Sequence, residues 1–376
     1  MGLGALLAYL VEPHFAWNSR ADSFLAGILI ITAAACALEL KRRLFGPLTI
    51  FDVCIPLIFL TPLQFEAVFV MANLAQGPIP LLLVLGYCLA WTLAPLALRY
   101  SLIVFVNFVT IHTGYGFFLG LITPAALAAD YWLNRKAKPS RLIPFLLALL
   151  LSLASLAIFF YHYRYTTAVD CVPNLLSDPL SNVKFLLLLF ANLFGAKGTG
   201  FFPILVGALT FAAMLTGLIV SAMDFASREG VQRQRNWTAA ILLSFGLLFS
   251  VNAAYARSCL GPQLAQVSRY VIWMDLSLFG LYLFLLTVPK SGIRTGILAV
   301  LMAALLGTIP IRKEDYSVMQ FVSAAKRNWK SCYLQIEDIR RCNHAVGYGV
   351  NPTVTPEFKS KLDFLKQTKQ NLYSGE

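Results

Sequence analysis

The sequence predicts an all-α fold, a polytopic transmembrane helical bundle of about ten spanning helices, some short or broken, with a small non-cytoplasmic C-terminal tail. Three observations carry this expectation. Hydrophobic residues make up 58% of the 376-residue chain and charged residues only 13%, a balance far from that of an average soluble domain. Apolar runs long enough to cross a hydrocarbon core recur along the chain. The basic residues behind the net charge of +12 sit in short clusters between those runs, where membrane topology accounts for them and nucleic-acid binding does not.

At roughly 20 residues per crossing, the spanning segments are 23–40, 53–74, 80–98, 101–113, 115–133, 142–161, 201–223, 237–254, 270–288 and 293–309. The run VKFLLLLFANLFG at 183–195 is too short to span comfortably and reads as a re-entrant or interfacial helix. Segment 101–133 has a second reading as one broken helix, because HTGYG at 112–116 is a poor helix interior.

Lys41, Arg42 and Arg43 form the first basic cluster. Arg135, Lys136, Lys138 and Arg141 form the second, Arg228, Arg233 and Arg235 the third, and Lys290 with Arg294 the fourth. All fall on one face under this count, and the positive-inside rule makes that face cytoplasmic. The other face receives the N-terminus, the loop 164–182, the stretch 255–269 and the polar tail. The chain therefore divides into a transmembrane domain, 1–309, and a non-cytoplasmic C-terminal cap, 310–376, with both termini non-cytoplasmic. The opening MGLGALLAYLV lacks the basic start of a cleavable signal and reads as the stub of a further helix.

Cys36, Cys54 and Cys88 lie in apolar runs as small core residues. Cys171, Cys259, Cys332 and Cys342 fall outside the bilayer on one face, which suits an oxidising compartment. A Cys332–Cys342 disulfide is expected, with free thiols as the alternative. No Cys-x-x-Cys spacing points to a metal, and no cofactor motif is present. Phosphate-loop and nucleophile-elbow motifs are likewise missing, which removes the usual supports for an ATPase or hydrolase. VGYG at 346–349 and TGYG at 113–116 lack the context of a potassium filter. Asn236 opens a formal glycosylation sequon, but in a basic loop on the wrong face. The tail ending EFKSKLDFLKQTKQNLY places Phe358, Leu362, Leu365 and Tyr373 near one helix face, so the tail should fold as a cap.

Polar groups near the outer face are the candidates for chemistry. Glu66 and Asp275 lie within apolar runs, where an ionised carboxylate is costly, so each faces a cavity or a hydrogen-bonded partner. Asp52 borders the first basic cluster and reads as an interfacial pair. Asp170 and Asp178 lie in a loop rich in turn residues, either as turn formers or, less commonly, as a general base. Glu66 and Asp170 are the catalytic candidates, and no metal ligands are evident.

The stretch YARSCLGPQLAQVSRYV reads as an anion site. Arg257 leaves one helix, Arg269 enters the next, and Ser258, Gln263, Gln266 and Ser268 supply further donors. A guanidinium fork suits a phosphate, and lipid head groups supply phosphates at the membrane rim. Tyr270 and Trp273 follow as interfacial anchors. The alternative is that both arginines snorkel to ordinary phospholipids.

RSCLGPQLAQVSRYVIW resembles the Arg-x-x-x-Gly … Ala-x-x-Ser-Arg-Tyr stretch of uncharacterised bacterial polytopic membrane proteins with a glycosyltransferase type C-like organisation. DVCIPLIFLTPLQFE, VTIHTGYGFFLGLITPAALAADYW and the tail with its cysteines are similar to the same group, so the resemblance covers most of the chain. It implies transfer of a sugar from a polyprenyl-phosphate carrier on the non-cytoplasmic face of a bacterial inner membrane, with an acid in the first outer loop as base. This chain departs from the pattern: the N-terminal helix and its acidic loop have no counterpart, and Glu12 and Asp22 lie in no matching motif. A catalytically incomplete protein that keeps the lipid-phosphate site follows from that departure. Binding by Arg257, Arg269, Tyr270, Gln263 and Ser268 is the expectation, with membrane lipid, polyprenyl phosphate and partner membrane subunits as partners. A structural subunit of a larger complex, or a lipid or solute transporter, is the alternative, although no internal repeat marks a transporter.

Overall fold

The computed structural model describes residues 6, 9–70, 74–134, 142–161, 178–349 and 356–374. Among these, all regular structure is helical. In order, the α-helices are α1 (Ser19–Phe45), α2 (Cys54–Phe59), α3 (Pro78–Trp91), α4 (Leu96–Ile111), α5 (Phe117–Asn134), α6 (Leu142–Phe160), α7 (Pro179–Asn192), α8 (Phe201–Ser227), α9 (Gly230–Arg257), α10 (Val271–Thr287), α11 (Ser291–Leu306), α12 (Lys313–Ile336), α13 (Ile339–Val346) and α14 (Pro356–Gln367).

Among the described residues six helices, those carrying α1, α5, α6, α8, α9 and α10, are long and apolar enough to cross a membrane. The chain thus has the build of an integral membrane protein. α3, α4, α7, α11 and the segment Ile50–Gln64 are apolar but shorter.

The expected crossing 53–74 is not one helix, and its prolines explain why. α2 ends at Phe59; Thr61 is extended, as a residue before proline tends to be, and its hydroxyl accepts the Leu63 N–H at 3.3 Å. A 3-10 turn, Pro62–Gln64, and a π turn, Glu66–Val70, follow. The expected segment 80–98 also breaks. α3 stops at Trp91, where the Thr92 hydroxyl turns back onto the Leu89 carbonyl at 2.7 Å, and Pro95 opens α4. HTGYG separates α4 from α5 as two helices, since Gly116 lies on Thr110 where any Cβ would clash.

α10 is the central post: 83% of its most apolar window is buried, against 22% for α6 on the perimeter. Close approach of α9 to α10 depends on glycine. A Cβ on Gly246 would meet Ser277, and one on Gly280 would meet Leu242 and Leu243. α1 leaves Phe24, Ile28 and Ile31 exposed, an apolar stripe suited to lipid. α7 is drawn into the bundle, with Phe185 and the run from Leu188 to Asn192 buried, which fits the re-entrant reading of this run better than the interfacial one.

Three of the four basic clusters gather at one end. Arg235 donates to the Leu44 carbonyl at 2.6 Å, Arg233 to Asn134 Oδ1 at 3.4 Å, and Arg43 to the Thr92 hydroxyl at 3.4 Å. Lys41 and Asp52 form a buried ion pair at 2.8 Å, and the Tyr282 hydroxyl donates to Asp52 at 2.7 Å. Lys290 and Arg294 follow directly after α10 at this end. The cluster 135–141 lies outside the described residues. At the other end the N-terminal turn meets the tail, where the Asn371 N–H donates to the Ala16 carbonyl at 2.9 Å.

The tail has a small core of its own, Trp329, Tyr333, Ile339, Cys342, Leu362 and Tyr373, with Phe358 and Leu365 packed on it. Trp329 stacks on Tyr333 at 4.9 Å and donates to Asn343 at 2.7 Å. A disulfide joins Cys332 to Cys342, Cα to Cα 5.7 Å. Cys259 is also disulfide-bonded, while Cys36, Cys54 and Cys88 are free.

Candidate functional site

The tail end of the bundle holds a polar cavity, and the connection from α9 to α10 builds most of it. α9 ends on Arg257. Ser258–Leu260 tightens into a 3-10 turn, and Gly261, at φ +99°, reverses the chain in a conformation that favours glycine. Pro262–Gln266 and Ser268–Tyr270 are two more 3-10 turns that lead into α10.

Hydrogen bonds stitch this connection to distant segments. The Ser258 hydroxyl donates to Asn182 Oδ1 at 2.7 Å. Asn192 donates to the Val267 carbonyl at 3.1 Å, and Lys197 donates to Asn192 Oδ1 at 2.7 Å and to the Gln266 carbonyl. The Gln266 amide group clamps the loop 196–198 through Ala196 O, Gly198 O and Gly198 N–H, at 2.9, 2.9 and 2.8 Å. On the other side Ser268 Oγ donates to the Leu63 carbonyl at 2.6 Å and accepts the Glu66 N–H at 3.1 Å. Glu66 Oε2 in turn accepts the Arg269 N–H at 3.2 Å. The reciprocal pair fixes the Glu66 carboxylate beside Arg269, much as a capping box fixes a helix start.

The cavity has a volume of about 120 Å³. Glu66, Gln76, Tyr115, Arg257, Arg269 and Tyr270 supply its polar lining, with Trp273 among the rest. The Arg257 guanidinium interacts electrostatically with Tyr115 and Tyr270. Arg269 lies 5.9 Å from the Tyr270 ring centre, at the edge of cation–π range. Tyr115, Phe249 and Trp273 pack edge-on and stacked at 5.2–5.8 Å, which gives the cavity an aromatic wall. Among the described residues no carboxylate is ion-paired with either guanidinium. Two cations thus face a space below the ~300–1,000 Å³ of a drug-sized site, room for an anionic head rather than for a whole glycosylated lipid.

Glu66, Arg257, Arg269 and Tyr270 therefore share one site. Tyr270 and Trp273 are buried wall residues, 4% and 2% exposed, not interfacial anchors. Gln263 is exposed and lies outside the cavity lining, because the turn after Gly261 carries it outward. The Ser268 hydroxyl is already committed to Leu63 and Glu66. Asp275 is buried deeper in α10 with Oδ2 unpartnered. Asp178 caps α7 by accepting the Ser181 N–H at 3.0 Å; Asp170 lies outside the described residues. Tyr115 and Gln76 were not legible as site residues. HTGYG signalled a break, and the break is what turns Tyr115 towards Arg257. Lys197 and Arg312 add positive charge nearby: Lys197 interacts electrostatically with Asp315, Arg312 and Glu66. No family model, curated protein or solved structure matches the chain.

Proposed function

We propose that this integral membrane protein binds a polyprenyl-phosphate-linked sugar at the tail end of its bundle, in the manner of a glycosyltransferase type C-like protein, with Arg257 and Arg269 holding the phosphate. The observation that supports this reading is the convergence of the two guanidiniums on one cavity, where Glu66 shares the lining but, among the described residues, neither arginine is ion-paired. A scaffold subunit would leave the two arginines in separate contacts.

The chemistry follows from the geometry. Tyr115 and Tyr270 line the cavity beside Arg257, and a planar guanidinium fork suits a phosphate. Arg257 and the exposed Arg269 together bind a phosphate and also stabilise the charge that grows on it as a glycosyl group departs. Glu66, fixed by the Arg269 N–H, is the carboxylate among the lining residues and sits where it would accept the proton of an acceptor hydroxyl.

Titration of farnesyl phosphate against wild type, Arg257→Gln and Arg269→Gln in one detergent tests the reading. Each variant should lose on the order of 1.5–3 kcal/mol of binding, the range for a charge-assisted hydrogen bond, and lysine should restore only part of it. Equal affinity in all three proteins would favour the structural-subunit reading.

A further inference from the structure

A second, larger cavity lies on the flank of the bundle and is apolar where the first is polar. It is a groove of about 440 Å³ between α8 and α11, closed at its tail end by the loop after α7. Phe202, Val206, Leu209 and Thr210, spaced along one face of α8, form one wall, and Ala304 and Gly307 the other. From Phe202 to Thr210 it runs about 12 Å along α8 at 1.5 Å per residue. Its rim is open, with Phe202 67% and Leu209 64% exposed.

At the closed end stands a cation. The Arg312 guanidinium occupies the space that a Cβ on Gly195 would fill, and Gly195, at φ +65°, is itself a groove residue. Among the described residues Arg312 has no ion-paired carboxylate. Lys197 lies close by and interacts with Arg312, Asp315 and Glu66, so two cations stand here beside two carboxylates, neither of them ion-paired to Arg312. The loop that carries Gly195 and Lys197 is held by the Gln266 clamp, which makes the head of the groove a built feature.

We propose that this groove binds one anionic glycerophospholipid, an acyl chain between α8 and α11 and the phosphate on Arg312. Two arguments choose this occupant. An apolar trough ending in a guanidinium that has no ion-paired carboxylate among the described residues matches a chain attached to a phosphate, and a choline head would add a like charge beside Lys197. The 12 Å length stays within one leaflet, about half of the ~30 Å hydrocarbon core, which suits an acyl chain ordered in its own leaflet better than a longer polyprenyl chain. The site is separate from the Arg257–Arg269 cavity and does not depend on the function proposed for it.

Native mass spectrometry of the full chain in detergent, titrated with dioleoylphosphatidylglycerol or with dioleoylglycerol, which has the same acyl chains and no phosphate, tests this. Wild type should bind the phosphatidylglycerol at least about tenfold more tightly, the low end of what a charge-assisted contact contributes. Arg312→Gln should abolish that preference. Ala304→Phe, which fills the groove and leaves the arginine, should weaken both lipids, and farnesyl phosphate should not displace phosphatidylglycerol. Equal binding of the two lipids by wild type, a preference retained in Arg312→Gln, or wild-type binding by Ala304→Phe would overturn the proposal. Displacement by farnesyl phosphate would overturn it as well, by making the groove part of the polyprenyl site.

Discussion

Arg257 and Arg269 flank a turn, and their meeting in one cavity depends on residues far away in the chain. Ser268 shows how. Its hydroxyl ties the arginine-bearing segment to Leu63 and Glu66, so Ser268→Ala should leave the Leu63 carbonyl and the Glu66 N–H short of a partner. The expected loss is about 1–3 kcal/mol, read as a lower thermal midpoint together with weaker farnesyl phosphate binding. At the other end of the molecule, Lys41 and Asp52 are 2% and 3% exposed. Lys41→Met alone strands a buried carboxylate and should cost about 3–5 kcal/mol. In thermal unfolding the double variant Lys41→Met, Asp52→Leu should cost much less than the sum of the single ones; an additive result would show that the two charges do not act as a pair. The arginines and Glu66 were legible because charges beside apolar runs stand out. Tyr115, Gln76, Lys197 and Arg312 were not, because long-range packing brings them to the site and nothing in their local sequence marks it.

Helices with plain apolar runs, such as α1, α6 and α8, follow the sequence closely. The interrupted ones do not. Hydropathy alone carried 53–74 as a single crossing, while Pro56, Pro62 and the capping hydroxyl of Thr61 divide it into a short helix and two turns. The result places Glu66 on a π turn, a form often found at functional sites. Close helix contacts give this scale its test. A Cβ on Gly207 of α8 would strike the backbone carbonyl of Leu187 in α7, which cannot rotate away as a side chain would. Gly207→Ala should therefore destabilise by about 1–3 kcal/mol, the usual cost of overpacking. Gly27, with nothing within 4 Å of its Cβ position, should tolerate alanine; equal midpoints for the two variants would remove the close-approach argument.

On the scale of the whole molecule, the three basic clusters among the described residues collect at one end and the cavity, the N-terminal turn and the tail collect at the other. Charge patterning made this legible, because each cluster reports its end independently of helix boundaries. The number of crossings was less legible, since among the described residues six helices are long and apolar enough to span while α3, α4, α7 and α11 are apolar but shorter, and hydropathy alone does not tell which short helices cross. If the basic end is cytoplasmic, Ser374→Cys should react with an impermeant maleimide in intact cells, and Ser291→Cys only after lysis. Reversed labelling would invert the orientation, and labelling of both sites in intact cells would break the two-ended arrangement.

The central claim is that the Arg257–Arg269 cavity holds a lipid-linked phosphate, and the lipids that copurify with the protein test it most directly. Mass spectrometry of lipid extracts from detergent-purified wild type should show polyprenyl phosphates enriched over the bulk membrane, and the Arg257→Gln, Arg269→Gln double variant should lose that enrichment while keeping its phospholipids. Wild-type protein that carries only bulk phospholipid, or a double variant that retains polyprenyl phosphate in full, would contradict the account.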